Sequence, residues 1–363
     1  MPVSGPKYQA VIDWVKQGIE SGEMRTGDRL LSEKELSEKF GLSRQTIRHA
    51  TGELENLKLI TRMRGSGTYI GAAEPRIKRQ KFMNVAVIVT YLDNYIFPPT
   101  LRGISDALRE NGYTTQVSFT DDNVQKETEI LEALLQNERI DGVIAEPTKA
   151  ALPNPNIEFY QKLKEKNIPI IFFNAEYPEL DFPCIRLDDE KIAERAVRLL
   201  TEAGHKRIAG LFQMDDRQGI LRYSGFMTGM KKAGLSVPEE TVVWFDTIGM
   251  RHPAKLLDYF FYRIKDCTAV VCYNDNVAVK IIKECDRRGI RVPEDLSIVG
   301  IDNADVAKNC TTPVTTFPHP KEELGRVAAE AMVRMIDDPS YDGSRLFLPE
   351  PIIRDSIQNL KLQ

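Results

Sequence analysis

The chain has 363 residues, 42% hydrophobic and 28% charged, with a formal net charge of −4. That allows two or three globular domains and excludes a low-complexity chain or one that coats nucleic acid along its whole length. The average hides an asymmetry: residues 1–81 hold 15 Lys and Arg against 10 Asp and Glu, whereas residues 82–363 hold 34 against 43. A small segment of net +5 thus precedes a body of net −9, and only the first suits a phosphate partner. The five cysteines (Cys184, Cys267, Cys272, Cys285, Cys310) form no CxxC pair and no regular framework, which favours reduced thiols and a cytoplasmic setting. No secretory pattern opens the chain and no run of 18 apolar residues interrupts it, so neither export nor a membrane partner is expected.

In chain order, Tyr8, Val11, Ile12, Val15 and Ile19 recur at helical spacing and predict a first helix over 6–21, with Lys7 at its start and able to meet a phosphate. Gly22 to Asp28 is turn-rich. Ser32 precedes Glu35 by three residues, a capping box that opens a second helix, and Gly41 suits the left-handed residue that ends it. Ser43 then caps a third helix with Ile47, Ala50, Leu54 and Leu57 on its apolar face. Arg44, Gln45, Arg48 and His49 are left on the opposite face, with Ser43 and Thr46 in its first turn. Two helices joined by a tight turn, the second presenting Arg and Gln outward, suit a DNA major groove. Leu59–Met63 and Thr68–Ile70 are short β-type runs around Arg64-Gly65-Ser66-Gly67, a hairpin whose basic tip could place Arg64 beside the DNA backbone.

These residues carry a specific resemblance. Leu31-Ser-Glu-Lys-Glu-Leu36, Phe40-Gly-Leu-Ser-Arg-Gln-Thr-Ile-Arg48 and Arg64-Gly-Ser-Gly-Thr-Tyr-Ile70 are similar to the signature of the GntR family of bacterial regulators. The resemblance covers roughly residues 5–71 and implies DNA contacts from Lys34, Arg44, Arg48 and the wing Gly65. Lys34 stands where the family more usually has arginine. A lysine neutralises phosphate but lacks the bidentate fork that reads guanine, so base reading falls to Arg44 and Arg48.

Residues 72–83 are polar, basic and punctuated by Pro75, and read as a linker. From 84 onward, apolar strands alternate with amphipathic helices. The strands fall at Val85–Val89, Tyr113–Phe119, Ile140–Ala145, Ile168–Phe173, Ile208–Phe212, 241–246, Ala269–Tyr273 and Leu296–Ile301, in two sets of four or five. Such βαβ repeats predict parallel sheets covered on both faces, here as two lobes, and open α/β sheets take ligands at the carboxyl ends of their strands. The natural site is the cleft between the lobes.

Phe97-Pro-Pro-Thr-Leu-Arg-Gly-Ile104, Ala203-Gly-His-Lys-Arg-Ile208, Arg222-Tyr-Ser-Gly-Phe226, Val271-Cys-Tyr-Asn-Asp-Asn276 and Val292-Pro-Glu-Asp-Leu-Ser-Ile-Val-Gly-Ile-Asp302 resemble the lactose/galactose repressor family and the periplasmic sugar-binding proteins. The expected organisation is a winged helix-turn-helix at 1–71, a linker at 72–83, and a two-lobed, periplasmic-binding-protein-like α/β domain with parallel sheets at 84–363. Lobe crossings are expected near 185–189, 316–321 and 345–352. The short helix-turn-helix and hinge helix usual in that family are absent, so coupling through a folding hinge is not expected. A GntR-type head on such a body resembles the arabinose-operon repressors of Gram-positive bacteria, with Thr90–Pro98, Glu146–Ala150 and Asp215–Gly219 as further carriers.

Sugar sites set charged or amide side chains against hydroxyls and aromatics against ring faces. Strand-end placement nominates Tyr95, Phe97, Glu146 and Asn174, while the family resemblance implies ligand contacts from Arg222, Asn274, Asp302 and His319. What the resemblance implies in full is a repressor of sugar-utilisation genes. It would bind operator DNA as a homodimer, leave it on binding a small-molecule sugar, L-arabinose, and need no cofactor or metal. Another pentose, a sugar phosphate or a purine remain alternative effectors. A sugar-metabolising enzyme with a DNA-binding head is a further alternative, but no Walker A loop, GxSxG elbow, HExxH or strand-linked GxGxxG is present, and no catalytic residue is nominated.

Overall fold

The computed structural model describes residues 8–63, 67–71, 81–92, 94–137 and 139–362. The chain divides into two units, Met1–Gln80 and Lys81–Gln363.

In the first unit, α1 (Gln9–Glu20), α2 (Glu33–Phe40) and α3 (Arg44–Asn56) precede β1 (Ile60–Met63) and β2 (Gly67–Ile70). The capping signals act as local chemistry requires. Ser32 Oγ accepts from the Glu35 amide while the Glu35 carboxylate accepts from Ser32 N at 2.8 Å. Gly41 ends α2 at φ +62°, a conformation a β-carbon would oppose. Val11, Ile12, Val15, Leu36, Ile47, Ala50 and Leu54 close a small core with Ile60 and Ile70 of the antiparallel wing. Leu57 is a correction: it lies past the end of α3 as its C-cap and is 51% exposed. Lys7, the wing-tip residues Arg64 and Gly65, and linker residues 72–80 lie outside the described residues.

The second unit opens with β3 (Asn84–Val89), α4 (Phe97–Glu110), β4 (Thr114–Phe119), α5 (Val124–Gln136), β5 (Gly142–Ala145), α6 (Ile157–Glu165), β6 (Ile170–Phe173) and β7 (Cys184–Leu187). There follow α7 (Asp189–Glu202), β8 (Ile208–Gln213), α8 (Arg217–Lys232), β9 (Val242–Phe245), α9 (Thr247–Arg251), α10 (Ala254–Arg263), β10 (Ala269–Cys272), α11 (Asp275–Arg288), β11 (Ser297–Asp302), α12 (Asp305–Lys308) and β12 (Thr315–Pro318). Last come α13 (Lys321–Asp337) and β13 (Arg345–Phe347). Lobe 1 is a parallel sheet of order β13-β7-β6-β5-β3-β4, and lobe 2 a parallel sheet of order β12-β11-β10-β8-β9. Alternation along β3 shows the layering: Val85, Val87 and Val89 pack toward α4 and α13, whereas Ala86 and Ile88 pack toward α5 and α6.

The chain passes between lobes after β7, after β12 and after β13, where Ile352 pairs with Thr316. Those three crossover strands were not among the predicted ones, because they are short and only half apolar. α13 likewise had no predicted counterpart; it returns to lobe 1 and packs on α4 through facing glycines. A β-carbon on Gly103 would sit 2.0 Å from Glu322 O, and one on Gly325 would sit 2.1 Å from Thr100 O. The linker expected to run to residue 83 ends in anchored chain, since the Phe82 and Asn84 amides both donate to Asp141, at 3.0 and 3.1 Å.

Candidate functional site

On the head, α3 exposes Arg44, Gln45, Arg48 and His49, and Lys34 is exposed on α2. Ser43 and Thr46 are occupied by folding. Ser43 Oγ accepts from Thr46 N at 3.2 Å and lies 2.9 Å from its hydroxyl, so this pair fixes the start of the helix. The His49 ring meets Tyr8 edge-on at 4.4 Å. Arg48 is not loose: its Nε donates to Glu33 Oε2 at 2.9 Å. Arg62, at the base of the wing, lies 3.8 Å from the same carboxylate, 3.4 Å from Glu55 and 2.6 Å from Thr51 Oγ1. Glu33 thus links recognition helix and wing, a role the sequence reading missed because Glu33 also fits an ordinary first-turn acid.

Between the lobes, strand ends deliver one buried polar cluster. Arg222 of α8 is 1% exposed. Its Nε donates to Asp189 Oδ1 at 2.8 Å, a terminal nitrogen donates to the Tyr273 carbonyl, and the other lies 3.6 Å from Asp302 Oδ1. Gly225 lets α8 approach α7 closely enough for this, since a β-carbon there would meet Glu190 O at 2.0 Å. Tyr95, from lobe 1, donates its hydroxyl to Asp302 Oδ2, across the cleft. Asp302 itself holds φ +104°, where a non-glycine residue is strained, as binding sites often are.

A second chain of contacts crosses the same space. Thr90 donates its amide and hydroxyl to Glu146 Oε2, and Asn174 Nδ2 donates to Glu146 Oε1 at 2.9 Å. Asn174 Oδ1 therefore accepts, taking the hydrogen of His319 Nε2 at 3.1 Å. Burial pushes the Glu146 carboxyl up to about 8, despite the donors from Asn174 and Thr90. Burial lowers His319 to about 4, so the ring is neutral with a bare acceptor at Nδ1. Three buried acceptors, His319 Nδ1, Asp302 Oδ1 and Asp189 Oδ2, have no hydrogen-bond partner. Asp275, at the foot of α11, is pushed up to about 7 by burial and by the Asp302 charge.

Six of the eight nominated residues thus meet: Tyr95, Glu146, Asn174, Arg222, Asp302 and His319. Two do not join the hydrogen-bonded cluster. Phe97 is a correction, its ring buried in the lobe 1 core with Val85, Ile104 and Leu324 because it opens the apolar face of α4. Asn274 caps α11, its Oδ1 accepting from Val277 N at 3.0 Å. Sequence reasoning overlooked Thr90, Asp189, Tyr273 and Asp216, whose carboxylate accepts the Tyr273 hydroxyl; Asp189 was detectable as the second of two acidic residues that close an expected lobe crossing. Among the described residues, no group of His, Cys, Asp and Glu could hold a metal ion, and no helix is long and apolar enough to cross a membrane.

Comparison with known proteins bears on both halves. Residues 7–70 match the gntR family of bacterial regulatory proteins, and residues 197–357 match the periplasmic binding protein-like domain. The arabinose metabolism transcriptional repressor of Geobacillus stearothermophilus is 36% identical over 360 residues, covering 98% of each chain. That of Halalkalibacterium halodurans is 35% identical over 368 residues, covering 98% of this chain and 97% of its own. Among solved structures, a transcription regulator GntR from Chromobacterium violaceum is similar at 27% identity and TM-score 0.65, over 75% of this chain and 98% of its own. All three are transcription regulators, and the protein is one too rather than an enzyme. The chain belongs to the family of bacterial transcriptional repressors that join a gntR-family DNA-binding head to a periplasmic-binding-protein-like domain.

Proposed function

We propose that this repressor holds operator DNA as a homodimer and is released when L-arabinose enters the cleft between its lobes. The observation that carries the sugar reading is the set of unpartnered buried acceptors. Each would cost about 1–3 kcal/mol if left unpaired, and hydroxyl hydrogens of a polyol supply what they lack. Aromatic and amide groups beside them, Tyr95, Tyr273 and Asn174, suit the rest of such a ligand. The identity of the sugar is supported by the two relatives named as arabinose metabolism repressors, each matched over nearly its full length. A sugar phosphate suits the site poorly. Carboxyls rather than cations surround it (Asp189, Asp216, Asp302), and the Arg222 guanidinium is already committed to Asp189 and Asp302. A dimer would set two copies of α3 on half-sites about one helical turn apart, in the cytoplasm where the operator is. Coupling between sugar and operator of typically ~1–3 kcal/mol would be reciprocal.

Fluorescence anisotropy of the full-length protein on its own upstream DNA tests this. L-arabinose should raise the operator Kd about 5–150-fold, the span of that coupling, while D-ribose, D-xylose, pentose 5-phosphates and nucleosides leave it unchanged. Release by one of the others and not by L-arabinose would reassign the effector.

A further inference from the structure

Across the cleft mouth from the effector cluster, three charges meet that the site described above does not use. Lys149 Nζ, from the loop after β5, lies 3.3 Å from Asp122 Oδ2, in the loop after β4, and 3.0 Å from Asp215 Oδ2, which follows β8 in the other lobe. Asp215 is 5% exposed, whereas the Lys149 side chain is 24% exposed, so the pairing is stronger than a fully exposed ion pair and still open to screening by salt. Asp215 is fixed independently of the lysine, accepting the Thr247 amide at 3.1 Å and Gln213 Nε2 at 3.0 Å.

The lobe 1 half is equally prepared. Asp121, Asp122 and Lys149 all hold left-handed backbone, at φ +52°, +54° and +50°. Strain of this kind persists only where the surroundings over-determine it. Here a buried network does so. The Glu127 carboxylate accepts both Tyr160 and Tyr177 hydroxyls and both Asn154 and Asn156 amides. Tyr177 Oη in turn accepts the Thr148 amide at 2.9 Å, and Thr148 Oγ1 lies 3.0 Å from Thr120 Oγ1. One buried carboxylate therefore roots both loops that present Lys149 and Asp122 to the opposite lobe.

We propose that Lys149, Asp122 and Asp215 form an electrostatic latch that holds the lobes closed and so sets effector affinity, with Lys149 as its positioning residue. This rests on the sugar reading of the cleft. The latch adds a salt-dependent contribution to closure, and the network around Glu127 keeps its lobe 1 half rigid before closure.

The test uses full-length protein with Lys149→Met, Asp215→Asn and the double variant. By calorimetry with L-arabinose, each single change should weaken binding about tenfold, and the double change should be no worse than either, because one interaction is removed in all three. Wild-type affinity should fall between 50 and 500 mM salt, and that of Lys149→Met should not. Wild-type affinity in the single variants, or losses that multiply in the double, overturns the latch. A second measurement needs no sugar. Small-angle scattering at low salt should give a larger radius of gyration for Lys149→Met than for wild type, and high salt should remove the difference. Equal radii overturn the latch even where sugar binds, whereas failure of wild type to bind any sugar overturns the effector reading and leaves scattering to judge the latch.

Discussion

Glu33 and Arg48 lie 2.9 Å apart, carboxylate to guanidinium Nε, on consecutive helices of the head. The bond uses Nε, so the two terminal nitrogens of the guanidinium stay outside it and keep the fork geometry that reads guanine. The Arg48 side chain is 70% exposed, so the pair contributes little to folding. Its effect is to limit where the fork can point. Glu33→Ala should leave the melting temperature of the head within a degree or two yet weaken operator binding by about 1 kcal/mol, roughly fivefold, through lost preorganisation. Anisotropy beside a thermal melt separates the two, and a large fall in melting temperature would make Glu33 a stability residue instead.

Arg44 occupies the first turn of α3, where helix-turn-helix proteins meet base edges. Arg44→Ala should cost about 1–3 kcal/mol on the operator and much less on unrelated DNA. A uniform loss on both, with the salt dependence of binding reduced by about one ion, would mark a phosphate contact.

Arg222 is a harder target than its sequence motif implies. Replacing it with alanine strands Asp189, buried and pushed up to about 6, and removing one partner of a buried pair costs about 3–5 kcal/mol. Loss of induction in Arg222→Ala would therefore be confounded by unfolding. Arg222→Lys keeps the charge but cannot serve Asp189, the Tyr273 carbonyl and Asp302 together. It should remain folded, bind operator normally and fail to respond to sugar. A normal sugar response would remove Arg222 from the site.

The helix interface of lobe 1 offers a check on packing alone. Gly325→Ala sets a β-carbon against the Thr100 carbonyl of α4, which is backbone and cannot swing aside. Overpacking of this kind costs about 1–3 kcal/mol, read as a lower denaturation midpoint with an unchanged slope. A neutral result would mean that α13 shifts freely on α4.

How much of this was readable without coordinates depended on whether the signal was local. The capping box at Ser32, the left-handed Gly41 and the cap at Ser43 each act within four residues, and each stands where the spacing put it. Nearly continuous apolar strands such as Val85–Val89 announced parallel sheets for the same reason. The crossover strands β7, β12 and β13 did not announce themselves, since segments of three and four residues are too short to carry a periodicity. Strand-end logic found Glu146 and Asn174, but could not see that Phe97, two residues past Tyr95, turns into the core as a helix starts. Asp189 and Glu33 mark a different limit, since position hinted at Asp189 but not at its partner. Their roles lie in what they hold, 33 and 15 residues away in sequence, and one chain gives no measure of such pairings.

The opposed shifts of Glu146 and His319 make a prediction in which the sign matters. Glu146 is raised from 4.5 to about 8, so the folded state keeps a proton that the unfolded chain has lost. Its contribution is complete below pH 4.5 and disappears as pH rises through 8. His319 is lowered from 6.5 to about 4, so its contribution is complete above pH 6.5 and is lost as pH falls through 4. Each shift amounts to several kcal/mol at most, at about 1.4 kcal/mol per unit. Stability of the sugar-free protein should therefore decline from pH 6 to 8 on account of Glu146, and Glu146→Gln, which stays neutral while retaining an acceptor, should flatten that limb. Sugar affinity should instead hold across that range and fall only as the pH drops toward 4, where His319 of the folded protein takes a proton and loses the one acceptor it offers at Nδ1. Denaturant melts and calorimetry across pH 4–8 on wild type and Glu146→Gln read the two limbs separately. An alkaline limb as steep in Glu146→Gln as in wild type would mean that the carboxyl is already ionised in the folded protein, and that Thr90 and Asn174 hold a carboxylate.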